Sequence, residues 1–210
     1  AMDGNETLFA ILDVNDPVLG SSVGGDFGGD FDIVGLTIAP GGVMYAIDDR
    51  GGAGTTYDLY RVDRDAAGAV TGFTLIGEIE TSDTGDLADG INFVTDFSAL
   101  EANPRTGVLY GVGVSPQSGE QTLYAISPFG NDVDADGQDE AFATEIRSLG
   151  AIGTVKALAS PPNAQFLYLV VDDAGVDTLY ELDLADFSLT NVGAIQVDAA
   201  GVDIEEMDFI

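Results

Sequence analysis

One phrase is written four times along this chain, and no other feature constrains the fold as much. It reads Thr7-Leu8-Phe9-Ala10-Ile11-Leu12, then Asp58-Leu59-Tyr60-Arg61-Val62-Asp63, Thr122-Leu123-Tyr124-Ala125-Ile126-Ser127 and Thr178-Leu179-Tyr180-Glu181-Leu182-Asp183. Each copy is followed by a stretch that closes on an apolar residue and glycine: Val23-Gly24, Ile76-Gly77, Leu149-Gly150 and Val192-Gly193. A unit of this size leaves a hydrophobic face that only neighbouring units can cover, so the repeat sets the architecture.

Two further strands per unit lie upstream. Tyr45, Tyr110 and Tyr168 occupy the near-identical phrases Gly42-Val43-Met44-Tyr45-Ala46-Ile47, Gly107-Val108-Leu109-Tyr110-Gly111-Val112 and Gln165-Phe166-Leu167-Tyr168-Leu169-Val170. Before them, Leu36, Leu100 and Leu158 each stand at one fixed spacing ahead of Pro40, Pro104 and Pro162. The apolar positions alternate at period two, and Gly, Pro, Asn and Asp punctuate the strand ends, which excludes a helical solenoid. Runs such as Ala66-Ala67-Gly68-Ala69 are too short and too glycine-interrupted to hold a helix.

Four short antiparallel strands at a period of roughly 50 to 65 residues predict an all-β fold, a β-propeller of about four four-stranded blades. The expected organisation is a vector remnant and leader over 1–6 and a single domain over 7–210. Blade-like repeats fall at 34–79, 97–150 and 155–195, and residues 204–210 join 7–24 in a split terminal blade that lacks one strand. An incomplete blade leaves an edge through which two copies can self-associate. No linker divides the chain, and no apolar run approaches the roughly 18 to 20 residues that span a bilayer.

Charge narrows the partners. Against 37 acidic residues stand six basic ones, a net charge of −31, which repels nucleic acid and anionic membrane surfaces. The excess is mostly aspartate in inter-strand loops. It reads as a solubilising surface suited to salt, or as a set of ligands for divalent cations, which relieve self-repulsion.

The strongest cation signal is Asn131-Asp132-Val133-Asp134-Ala135-Asp136-Gly137-Gln138-Asp139-Glu140. Calcium takes six to eight oxygens, and the D-x-D-x-D-G spacing of Asp132, Asp134 and Asp136 gathers three carboxylates around a turn that the glycine permits. Asp139 and Glu140 complete the candidate set. The first half resembles the calcium loops of EF-hand and dockerin-like proteins. At the twelfth position it carries Ala143 in place of a bidentate Glu, leaving Glu140 or Glu145 to substitute. A second, weaker acidic site is drawn from Asp26, Asp30, Asp32, Asp86 and Asp89, with Asp48, Asp49, Asp172 and Asp173 expected on the same face. Solvated turn aspartates are the commoner outcome for such clusters.

With no histidine and no cysteine, a Ser-His-Asp triad, a Cys-His pair, a His-ligated zinc and any disulfide are all unavailable. Lys156, the only lysine, reads better as an ion-pair partner of nearby aspartates than as a nucleophile. Weak calcium sites are useful where the ion is abundant, which points to the extracellular space or the cell surface.

The repeated phrases, a strand ending in Pro, then G-x-L-Y-[AG]-[IV], then T-L-Y-x-[IL]-[DS], then [LIV]-G, resemble the propeller repeats of large secreted bacterial proteins of unassigned function. That resemblance covers Thr7 to Ile210 and implies a fold rather than an activity. The reading it favours is a non-catalytic calcium-binding module for protein or glycan binding, adhesion or scaffolding. Tyr57, Phe27, Phe31 and Phe93 are its candidate contact aromatics unless they plug the core. The alternative is a calcium-dependent hydrolase of lactonase or phosphoesterase type, its site drawn from Asp26, Asp30, Asp32, Asp86, Asp89, Asp96 and Asp203.

Overall fold

A computed structural model describes residues 9–11, 19–22, 32–49, 56–66, 70–81, 94–129 and 141–195. Every element in it is a β-strand. β1 (Phe9–Ile11) and β2 (Leu19–Ser22) form an antiparallel pair. Three antiparallel meanders follow. The first runs β3 (Ile33–Ile38), β4 (Met44–Asp49), β5 (Tyr57–Arg64) and β6 (Val70–Thr81). The second runs β7 (Thr95–Ala102), β8 (Leu109–Val114), β9 (Gln121–Ile126) and β10 (Ala141–Ser148). The third runs β11 (Thr154–Ala159), β12 (Phe166–Asp173), β13 (Val176–Asp183) and β14 (Leu189–Ala194).

Strand alternation explains where the core sits. In β4, Met44 and Ala46 take one face and Tyr45 and Ile47 the other; in β5, Tyr57 and Leu59 share the face of Ile47. That face packs on Phe97, Leu100, Leu109, Tyr124 and Ile126 of the second meander. The opposite face of the second meander, with Tyr110, Val112 and Leu123, packs on Val155, Leu158, Leu167, Leu169 and Leu182 of the third. The middle meander is therefore buried on both sides, and its β8 strand Leu109–Val114 is buried almost throughout. Between β3 and β4, Gly41 and Gly42 adopt φ of 84° and 81°, which a side chain would resist, while the Ala39 amide donates to the Val43 carbonyl at 2.7 Å.

The expectation of about four separate propeller blades is overturned. The first and second meanders are one eight-stranded sheet in the order β3-β4-β5-β6-β10-β9-β8-β7, and only β11 to β14 stand as a four-stranded sheet. The cause is the length of β6. Instead of stopping at Ile76-Gly77, it runs on to Thr81, and its tail pairs in parallel with β10: Ala141 with Ile79, Phe142 with Glu80 and Ala143 with Thr81. Ile79, Ala141 and Ala143 are fully buried there. The pairing is thus mixed, and the end strands β3 and β7 return to each other, so the sheet is nearly closed and barrel-like.

That return is sealed by small residues and one carboxylate. Gly35 leaves no room for a side chain, because a Cβ there would lie 2.8 Å from Leu100 Cβ. The Ala102 amide donates to the Thr37 hydroxyl at 2.9 Å, and that hydroxyl donates to Glu101 Oε2 at 3.2 Å. The other oxygen of Glu101 accepts the Ser160 amide at 3.0 Å, just past β11. One side chain thereby ties the first strands of all three meanders. Residues 204–210, expected to complete a split blade, lie outside the described residues.

Candidate functional site

Of the residues expected to hold calcium, Asp132, Asp134, Asp136, Asp139 and Glu140 lie outside the described residues, but both ends of their loop are placed. The segment 127–140 is the connection of an antiparallel hairpin: Ile126 of β9 faces Ala143 of β10, and the Ser127 amide donates to the Phe142 carbonyl at 2.8 Å. The loop returns to where it left. Ala143, the twelfth position of the calcium-loop pattern, is fully buried in β10, and Glu145 stands in the same ladder opposite Tyr124. The exit of the loop at Ala141–Ala143 is also the parallel junction with β6.

Within the second acidic set, Asp26, Asp30, Asp86 and Asp89 lie outside the described residues, as do Phe27, Phe31, Phe93 and Asp203. Asp32 is placed, and it leads to a feature that motif reading missed. Its amide donates to Asp48 Oδ1 at 2.6 Å, and its carbonyl accepts the Asp49 amide at 2.8 Å. Across the β4–β5 ladder Asp48 stands opposite Asp58, and across β5–β6 Asp58 stands opposite Glu78. Three carboxylates thus occupy one row on one face of the first meander. Asp48 is 3% exposed and Asp58 0%. The Tyr60 hydroxyl donates to Asp58 Oδ2 at 3.2 Å.

Like charges directly opposite in a ladder repel, and burial raises the cost of ionising either one. Burial is the main reason that the Asp48 carboxyl is pushed from 3.8 up to about 6; the Asp32 amide opposes the shift, and the charges of Asp58, Asp32 and Asp49 reinforce it. Between about pH 4 and pH 6 Asp48 therefore keeps a proton that an ordinary aspartate would have lost. The sequence signal was there: the positions matching Asp58 in the other copies are Thr122 and Thr178, so the first repeat alone places an acid where its siblings place a neutral residue.

On the inner face of the same strands, Asp49 pairs with Tyr57. Tyr57 serves the core rather than a contact surface: it is 3% exposed and meets Phe97 edge to face, with ring centroids 5.3 Å apart. Burial, with the charges of Asp49 and Asp96, pushes its hydroxyl up to about 12, so it stays protonated in any ordinary buffer. In the third meander the Lys156 ammonium lies 3.8 Å from Asp172 Oδ2, the ion pair its isolation suggested.

Among the described residues, no three acidic side chains gather closely enough to hold a metal ion. Asp48 and Asp58 instead face each other as a buried pair across the β4–β5 ladder. No protein-family model matches this chain, and no curated protein matches it. What the chain does must be argued from its own residues.

Proposed function

We propose that this chain is a non-catalytic, calcium-binding all-β module of an extracellular or cell-surface protein, serving protein or glycan binding, adhesion or scaffolding. One observation supports the calcium reading: the strands that flank the D-x-D-x-D-G segment, β9 and β10, pair antiparallel with each other, so the two ends of that segment are held side by side. Closing a loop of this length costs entropy that the flanking ladder has already met, and oxygen ligands presented on such a loop need less ordering to surround an ion.

The place of that loop gives the ion a task. Its exit strand is the segment that joins β6, so calcium bound at 131–140 stiffens the seam between the first two meanders. The non-catalytic reading is supported by where the described polar groups are engaged. Glu101 links three strands, Asp172 pairs with Lys156, and Asp48 receives a backbone amide.

Calcium titration by calorimetry on the intact chain and on the Asp134→Ala, Asp136→Ala double variant tests this reading. Binding of one ion that disappears in the variant, with a matching fall in melting temperature on chelation, supports it. Heat that persists in the variant places calcium elsewhere, and no heat in either protein removes the ion from the proposal.

A further inference from the structure

We propose that the end of the molecule formed by the β3–β4, β7–β8 and β11–β12 turns is a docking face for a protein partner whose contact surface is apolar at its centre and basic around it. The fold brings these three turns together. A Cβ at Gly107 in the second would lie 3.7 Å from Pro40 Cδ in the first, and the Asn103 side-chain amide donates to the Ala164 carbonyl of the third at 3.4 Å. Glu101 ties the strands that lead into them, through the Thr37 hydroxyl and the Ser160 amide. The face they make is apolar and open to water. Ile38 is 54% exposed, Val43 37% and Val108 36%, with Pro40, Pro104 and Pro162 exposed beside them. Scattered apolar side chains on a surface need no explanation, but a contiguous group rimmed by polar residues marks an interaction site.

Charge selects the occupant. In a chain with 37 acids, residues 33–47, 102–119 and 149–171 contain none, and Arg105 is the one charged residue of the three turns, 39–43, 103–108 and 160–165. Around this centre the same end of the molecule is acidic. The Arg64 guanidinium donates to the Gly42 carbonyl and the Leu184 amide to the Gln165 carbonyl at 3.0 Å, which brings the β5–β6 and β13–β14 turns, with Asp63, Asp65, Asp183 and Asp186, alongside. In the second meander the chain leaves β9 for the acidic segment 127–140 where Ile126 stands opposite Leu109, beside Val108. A centre depleted of Asp and Glu, with Arg in it and a polar rim, is the anatomy of a protein–protein interface. An acidic rim attracts a basic one, and it repels a second copy of this −31 chain, whose rim is the same. The three turns hold no Phe, Tyr or Trp on which a sugar ring could stack. This face gives the protein-binding part of the reading above, on which it rests, a place and a class of partner.

The probe is an amphipathic helical peptide with a leucine stripe flanked by lysines, titrated into the full chain with calcium and, in parallel, with chelator, so that docking and calcium binding give separate results. Oligolysine reports charge alone. Val43→Asp and Val108→Asp place an acid in the apolar centre, and Val176→Asp, 51% exposed at the far end of the third meander, is the control. The sign is diagnostic: an added acid strengthens any purely electrostatic attachment of a cation, but spoils an apolar contact. The expected result is peptide binding that survives about 1 M sodium chloride, where charge effects reach only about 3 Å, weakens at least ten-fold in Val43→Asp and in Val108→Asp, and is unchanged or tighter in Val176→Asp. Oligolysine should let go in the same salt. Hydrogen exchange on the wild-type chain checks the place without relying on a variant that folds: the peptide should slow amides within 39–43, 103–108 and 160–165. No peptide binding, binding that all three variants strengthen, salt-resistant oligolysine, or protection confined to other segments overturns the proposal. So does protection of these turns that rises with protein concentration in the absence of peptide, since a second copy is then the occupant.

Discussion

The first and third meanders share a repeat and differ in what they do with one cross-strand position. Counting from the tyrosines that align the copies, the first meander places Asp48 opposite Asp58, and the third places Val171 opposite Thr178. All four are buried or nearly so. One residue further along, the third meander carries its own acidic pair, Asp172 opposite Asp177, but there Asp172 is partly exposed and Lys156 is at hand. Burial, more than proximity of like charge, decides the outcome. The buried acid of the first meander keeps a proton up to about pH 6, while in the third Asp172 lies where water and the Lys156 ammonium can reach it.

Moving the acid to the other copy is the strongest way to break this comparison. Val171→Asp puts an uncompensated carboxylate into a fully buried site and is expected to cost about 3 to 5 kcal/mol at pH 7.5. Urea unfolding should show the penalty shrinking at pH 4.5, where the new acid can take a proton. An equal penalty at both pH values would mean that volume and shape, not charge, set the cost.

Removing the acid from the first meander is the next largest effect. Asp48 has a raised folded value, so the folded state binds the extra proton; its contribution is complete below the unfolded value near 3.8 and is lost as pH rises through about 6. At about 1.4 kcal/mol per unit, the shift makes this group roughly 3 kcal/mol less favourable at pH 7.5 than at pH 4. Asp48→Asn keeps an oxygen for the Asp32 amide and cannot ionise. It should match wild type near pH 4 and exceed it by up to about 3 kcal/mol at pH 7.5, and parallel pH profiles for the two proteins would refute the assignment.

Glu101 sharpens the comparison by acting on both meanders at once. Glu101→Ala loses bonds to Thr37 and to the Ser160 amide and is expected to cost about 2 kcal/mol, on the scale of hydrogen bonds to a charged group. Faster amide exchange should appear in both β3 and β11; a change confined to one would show that the other bond contributes little.

The smallest effect belongs to the partly exposed pair. Lys156→Met should change stability by about 0.5 kcal/mol, and less in high salt, as expected for a partly exposed ion pair at 3.8 Å. A penalty above about 2 kcal/mol would place Lys156 in the same class as the buried row.

Strand content was legible because alternation and turn residues are local. The T-L-Y phrases fall in β5, β9 and β13, and the phrases around Tyr45, Tyr110 and Tyr168 in β4, β8 and β12. How the strands associate at their edges was not legible, since a repeat says nothing of where one copy overruns. The four residues Glu78 to Thr81 look like loop acids by composition, yet Ile79 and Thr81 are buried where β6 meets β10. The Asp48–Asp58 row escaped for a related reason. Asp48 reads singly as a strand-end residue and Asp58 as the opening of a repeated strand, and only the ladder register sets them face to face. Glu101 carried no signal at all, being one more acid in an acidic chain.

Repeat proteins are commonly treated as strings of interchangeable beads that can be lengthened or trimmed. This one is not. Through Glu101 the second repeat holds the first strand of each neighbour with opposite oxygens of one carboxylate, and the matching positions in the flanking copies are Thr37 and Ala159, which could not do the same. The repeats therefore have a fixed order: a copy of either neighbour set in the middle place would lack the carboxylate that makes both bonds.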